Sequence, residues 1–255
     1  MMRKLVVLLV LAAVSEAAFC WGPTGHRVVG TIAEDYLSRK TRARLAKILD
    51  GQSIAMATTW MDEVRSDSTY DDMADWHWVT IPDGATYAET EKNPRGDIIS
   101  TLERVITELK AGRLSPKEEK ERLLILIHLV GDLHMPLHVG TGKDRGGNDT
   151  RVRWFGQQSN LHRVWDADII DHTQLSYTEF AASLKRPSDA QASIWQQSGV
   201  LVWAMENMDY RENIYRIGDG RLGYEYAYYN LPVIRTRLLQ AGIRLAGILN
   251  DIFGN

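Results

Sequence analysis

Any fold available to this chain must gather side chains that lie far apart along it. Between Trp21 and Asp166 it spaces nine candidate metal ligands: Trp21, His26, Asp62, His77, His128, Asp132, His138, His162 and Asp166. Five of the seven histidines belong to the series. Imidazole and carboxylate are what zinc takes in catalytic sites, where a position stays open to water, whereas structural zinc sites are closed and usually cysteine-rich. Nine donors are too many for one tetrahedral ion and suit three, with Asp132 able to bridge two. Three dications against three aspartates leave about three positive charges by simple count, enough to bind phosphate without a basic surface.

The first member is unusual, because an indole is no metal ligand. Trp21 can contribute only through its backbone, and only as the first residue of a processed chain. Met1–Cys20 reads as a secretory signal: Arg3 and Lys4 form the charged region, Leu5–Val14 an apolar run, and Ala18-Phe19-Cys20 a cleavage box. The run is too short to span a bilayer. Cleavage after Cys20 frees the Trp21 amine, whose ordinary pKa of about 7.7–8.0 lets a metal deprotonate it readily. Amine and carbonyl together then close a five-membered chelate. Lipidation of Cys20 would abolish that chelate, and Phe19 is bulky for such a signal. Cys20 is the only cysteine, so the mature chain has no disulfide despite export, which suits a bacterial periplasmic or secreted protein.

Residues 21–255 carry no linker, repeat or low-complexity tract, so a single domain is expected. The formal net charge of −3 provides no overall basic field and disfavours a nucleic-acid reader of the basic-patch type. It does not disfavour an enzyme whose positive charge resides in bound metal. Helical periodicity dominates: from Pro23 to a break near Ser38, on to a stop at Gly51, over Ile98–Leu109 to Gly112, and from a Ser115-Pro116-Lys117-Glu118 capping box towards Pro136. Tyr177–Leu184, Asp189–Asn207 and Glu225–Leu249 are also helical in pattern. Only Thr150–Phe155 alternates like a strand, beside the glycine-rich stretch 140–148, which predicts at most a small hairpin. The expected class is mainly α.

His128 and Asp132 stand four apart on the helix that Ser115 opens, about 40° apart on one face. His138 follows Pro136, where a broken helix can turn it back, and His162 and Asp166 repeat the four-residue spacing. Arg65 lies three residues after Asp62 and would grip a phosphate bidentately, or else pair with Asp67 on the surface. Singly, each of these residues reads as an ordinary helix or cap residue. His134 and His172 read as structural or surface residues, and Trp60, Trp76, Trp78, Trp154 and Trp165 mostly as core, with one or two able to stack a base near the metals.

The set resembles the zinc-dependent, single-strand-specific S1/P1 (type I) nucleases. The matching motifs are Trp21-Gly-x-x-x-His26, Trp60-x-Asp62-x-x-Arg65, Trp76-His77, His128-x-x-x-Asp132-x-x-x-Pro136-Leu137-His138, Gly146-Gly147-Asn148 and His162-x-x-x-Asp166. The resemblance implies a mostly helical, monomeric fold around three zinc ions. Asp62, His77, His128 and Asp132 would hold one; the Trp21 amine and carbonyl, His26 and Asp132 a second; His138, His162 and Asp166 the third. It further implies cleavage of RNA and single-stranded DNA to 5′-phosphates, removal of 3′-phosphates from nucleotides, attack by zinc-activated water, and Arg65 steadying the phosphoryl charge. Thr80 departs from an acid found in several relatives. The rival readings are a zinc phospholipase C, disfavoured by the short Trp21–His26 gap and by aspartate as the last ligand, and a non-catalytic periplasmic zinc-binding protein. An HD-type phosphohydrolase is excluded by the lack of any His-Asp dipeptide.

Overall fold

The computed structural model of the protein describes residues 21–254, so the expected signal Met1–Cys20 lies outside the described residues. The axis of the fold is the Pro116–Asp132 helix, whose residues from Leu123 to Asp132 are all buried. It starts as its sequence requires. Ser115 accepts from the Glu118 amide, the Glu118 carboxylate accepts from the Ser115 amide at 2.8 Å, and Pro116 takes the first turn. Each buried leucine or isoleucine of this helix contributes about 1.5–3 kcal/mol relative to an exposed one. Leu126→Ala would cost about 2–5 kcal/mol through the cavity it leaves.

Three helices enclose this axis. Ile98–Ala111 packs beside it, opened by Asp97, which accepts from the Ile99 and Ser100 amides, and closed by left-handed Gly112. Pro23–Asp35 lies against both the axis and the long Tyr224–Phe253 helix. Close approach of the last two requires Gly242, where a Cβ would stand 2.5 Å from Ile32 Cβ. The break near Ser38 is real: the first helix ends at Asp35, and Ser38 caps the next, Arg39–Ile48.

Two expectations need correction. The single helix expected over Asp189–Asn207 is two, Asp189–Gln197 and Val200–Met208, because Ser198 and Gly199 adopt extended backbone. The β structure exceeds one hairpin. Arg151–Trp154 and Gln157–Asn160 pair antiparallel across Phe155-Gly156, both with positive φ, the geometry of a type I′ turn. Arg221–Leu222 adds a third, parallel strand, and Val79–Thr80 pairs in parallel with Val139–Gly140. The class is nonetheless mainly α, and no described helix is long and apolar enough to cross a membrane.

Candidate metal centre

The axial helix delivers His128 and Asp132 one turn apart into the middle of the molecule. Their side chains meet, with His128 Nε2 3.2 Å from Asp132 Oδ2. From the first helix His26 brings Nε2 to 3.2 Å from Asp132 Oδ1. His77 ends a 3₁₀ stretch, Ser68–His77, and places Nδ1 2.8 Å from Asp132 Oδ2. Asp62, in the short Trp60–Glu63 helix, completes this half, 4.0 Å from His128 Nε2. Beside it lies the other half, where His162 Nε2 is 3.0 Å from Asp166 Oδ2 and His138 Nε2 is 3.9 Å from Asp166 Oδ1. Ligand atoms therefore fall into three groups able to hold metal ions: His26, Asp62 and His128; His77, His128 and Asp132; His138, His162 and Asp166.

Local structure fixes three of the five rings. His128, His138 and His162 donate Nδ1–H to the carbonyls of Thr58 (2.7 Å), His77 (2.6 Å) and Gly146 (2.7 Å). This fixes the tautomer and turns the Nε2 lone pair towards the carboxylates of the centre, the usual outer support of a metal-bound histidine. The parallel Val79–Val139 pairing follows directly on His77 and His138, which locks those two segments together. Gly146 serves the same purpose for His162. Its φ is +63°, and a Cβ there would stand 2.3 Å from the Leu137 carbonyl, so no other residue keeps its carbonyl in place. Asp166 sits in a π-helical turn, Val164–Asp168, inside what the sequence presents as one regular helix. Such turns recur at functional sites.

The electrostatics ask for cations. Burial opposes charge on Asp132, yet the imidazoles of His128, His26 and His77 around it hold it well below the usual carboxylate range. Burial also works against a charged His128, but Asp132 and Asp62 raise it to about 8. In the other half burial dominates, pulling His138 down to about 3 and lifting Asp166 to about 6. His138 Nε2 and Asp166 Oδ1 are buried without any hydrogen-bond partner. Orphaned buried groups of this kind are costly, and their donor types are those that bind zinc, so the residues fit the metal.

A pocket of about 380 Å³ opens onto this centre, lined by His77, His138 and His162, and by Arg65, Trp78, Arg145 and Asn148 beyond them. Arg65 pairs with Asp62 at 3.2 Å rather than with Asp67, whose side chain caps Thr69. Of the tryptophans expected in the core, Trp165 is fully buried, whereas Trp78 is 44% exposed at the pocket. The sequence motifs include Asn148 but not Arg145. Asn148 stood in the Gly146-Gly147-Asn148 motif, and Arg145 could have been found from its place beside that motif.

Trp21 is fully buried. Its Cβ packs at Gly25, and the next amide, Gly22, donates to the Asp166 carbonyl at 2.9 Å. The start of the described chain is thus tied to a ligand segment. The S1/P1 nuclease family profile matches residues 21–254.

The chain belongs to the S1/P1 nuclease family. Endonuclease 4 of Arabidopsis thaliana is 32% identical over 97% of this chain and 94% of its own length. Nuclease S1 of Aspergillus oryzae is 24% identical over 99% and 98%. Nuclease P1 of Penicillium citrinum is 29% identical over 57% of each chain. These relatives are plant and fungal, and they lend no support to the expected bacterial origin.

Proposed function

We propose that this S1/P1-family nuclease is an exported, zinc-dependent endonuclease that hydrolyses RNA and single-stranded DNA to 5′-phosphate products and removes 3′-phosphates from nucleotides. The observation that carries this reading is the convergence of eight histidine and aspartate side chains from distant segments, three of which, His77, His138 and His162, line one pocket. Asp62, His77, His128 and Asp132 would hold one zinc ion. His26 and Asp132, with the amine and carbonyl of Trp21, would hold a second, and His138, His162 and Asp166 a third. Bound there, zinc lowers the pKa of water, polarises a phosphoryl oxygen and neutralises a leaving alkoxide.

The chain's own residues do the rest. Asp62 orients the Arg65 guanidinium at the pocket wall, ready to donate to phosphate oxygens as their charge grows. Trp78 offers an exposed ring face on which an unpaired base can stack. Thr80 lines the pocket and offers a hydroxyl at its position rather than a carboxylate. The buried position of Trp21 beside the Asp166 segment supports processing after Cys20, because a free amine at that point would reach ligands already assembled.

The test is an assay of denatured DNA, RNA and a 3′-nucleotide beside phosphatidylcholine, with and without a chelator. Hydrolysis of the first three, abolished by chelation and restored by zinc, is expected. Cleavage of the lipid alone would overturn the reading, as would metal binding without any hydrolysis.

A further inference from the structure

His138, His162 and Asp166 come from three separate segments, and one short stretch, 211–215, is hydrogen-bonded towards all three. Arg211 is buried and donates Nη2 to the carbonyls of Val139 at 2.6 Å and Gly140 at 3.2 Å, directly after His138. One turn on, the Tyr215 hydroxyl donates to the Asp144 carboxylate at 2.9 Å, and Asp144 also accepts from the Thr150 hydroxyl at 2.6 Å. That bracket closes the loop 144–150, whose Gly146 carbonyl orients His162. Between them, the Ile214 carbonyl accepts from the Tyr226 hydroxyl at 2.6 Å. Tyr226 accepts in turn from the Trp165 indole at 2.8 Å, one residue before Asp166.

The stretch is a firm anchor. Ile214 is fully buried, and Asn207 just ahead of it donates to the carbonyl of Leu133, the cap of the axial helix, at 2.6 Å. Burial and the Asp144 carboxylate push the Tyr215 phenol up, and burial does the same for Tyr226. Both hydroxyls therefore keep their protons and stay donors. A buried polar network whose members are paired makes the segments it joins rigid. The other half of the centre is fixed elsewhere, His128 by the Thr58 carbonyl and His26 and His77 at the Asp132 carboxylate.

Resting on the zinc reading above, we infer that the stretch 211–215 is the positioning element of the His138–His162–Asp166 site. It touches neither the ligand atoms nor the pocket floor, and acts by holding the three ligand segments in register for one ion. Tyr215 and Tyr226 are its positioning residues for His162 and Asp166, and Arg211 for His138. Loss of the group that directly supports a metal ligand costs 10–100-fold in affinity. These hydroxyls stand one bond further out, so the effect of removing two of them falls at the lower end of that range.

The test loads the protein with zinc, titrates it with a competing chelator and counts bound ions by native mass spectrometry. The variant Tyr215→Phe, Tyr226→Phe removes two oxygens and keeps both rings and the Arg211 contacts. One of its three ions should bind about tenfold more weakly, while the other two keep wild-type affinity. On a His162→Ala background, which lacks that ion, the same pair of changes should leave the two remaining affinities unaltered. Activity should fall at limiting zinc and recover at saturating zinc. Should the pair fail to fold, Tyr215→Phe alone should weaken the same ion about threefold. The control Leu109→Ala, which opens a cavity in the core, should leave all three affinities unchanged. Wild-type affinity for every ion in the tyrosine variants would overturn the inference, as would equal weakening of all three or the same shift in the control. If the unaltered protein never holds a third ion, the zinc reading itself fails. If it holds three and the variants match it, only this inference fails.

Discussion

Asp132 and His134 leave the same helix end in different directions and enter two buried polar clusters of opposite character. Around Asp132, three aspartates and five imidazoles converge with buried atoms left unpaired, a set that is negative while the imidazoles are neutral. Around His134 the accounts nearly close. Its Nδ1 donates to the Val130 carbonyl at 2.8 Å, and its Nε2 accepts from Arg244 at 3.0 Å. Arg244 and Arg237 share Glu206, and Arg237 also donates to the Trp203 carbonyl and Gln240. Burial, together with the Arg237 and Arg244 charges, keeps His134 far below the usual imidazole range, and so neutral and able to accept. The difference teaches that burial of a histidine says little about metal binding. What separates a candidate ligand from a structural residue is what its outward atom faces: carboxylates and other imidazoles around Asp132, but the Arg244 cation at His134.

Substitutions can break this contrast, and the largest effect falls on the metal side. His128→Ala should abolish turnover and lose metal together, measured by metal analysis and hydrolysis of denatured DNA, because the ions tie distant segments to the axial helix. Arg65→Ala should lower kcat about 10²–10³-fold with metal content unchanged, as for loss of one donor to transition-state charge; full activity would remove Arg65 from the chemistry. Glu206→Ala, on the structural side, should cost about 3 kcal/mol in chemical denaturation by stranding two buried arginines, while the metal count of the folded protein stays normal. Gly146→Ala should weaken the His138–His162–Asp166 site about 10–100-fold by displacing the carbonyl that orients His162, read by competition with a chelator. His134→Gln should be the mildest, about 1 kcal/mol in stability, with metal content and activity unchanged. Metal loss in Glu206→Ala or His134→Gln would erase the distinction between the two clusters.

Much of this was legible in the sequence, for identifiable reasons. The Ser115 capping box, Gly112 and the four-residue spacing of His128 and Asp132 act locally, so the chain states them outright. The gathering of the eight histidines and aspartates was readable only because their donor chemistry forms a coherent set. Partners set by tertiary contact were not readable. His134 reads as structural but nothing local names Arg244 as its partner, Trp78 resembles any core tryptophan, and the Arg221 strand has only two residues in which to show a pattern. The Ser198-Gly199 break was visible as a glycine, but helical periodicity on both sides outweighed it. The π turn at Asp166 leaves no mark in spacing, since it alters the hydrogen-bond register without altering the order of polar and apolar residues.

The account rests on three ions assembled around a chain that begins at Trp21, and one measurement addresses it directly. Native mass spectrometry of the purified, zinc-replete protein reports the first residue and the metal count from the same ion. The account predicts a chain starting at Trp21 that carries three zinc ions. A chain that starts elsewhere, or that holds fewer than three ions at saturation, would contradict it.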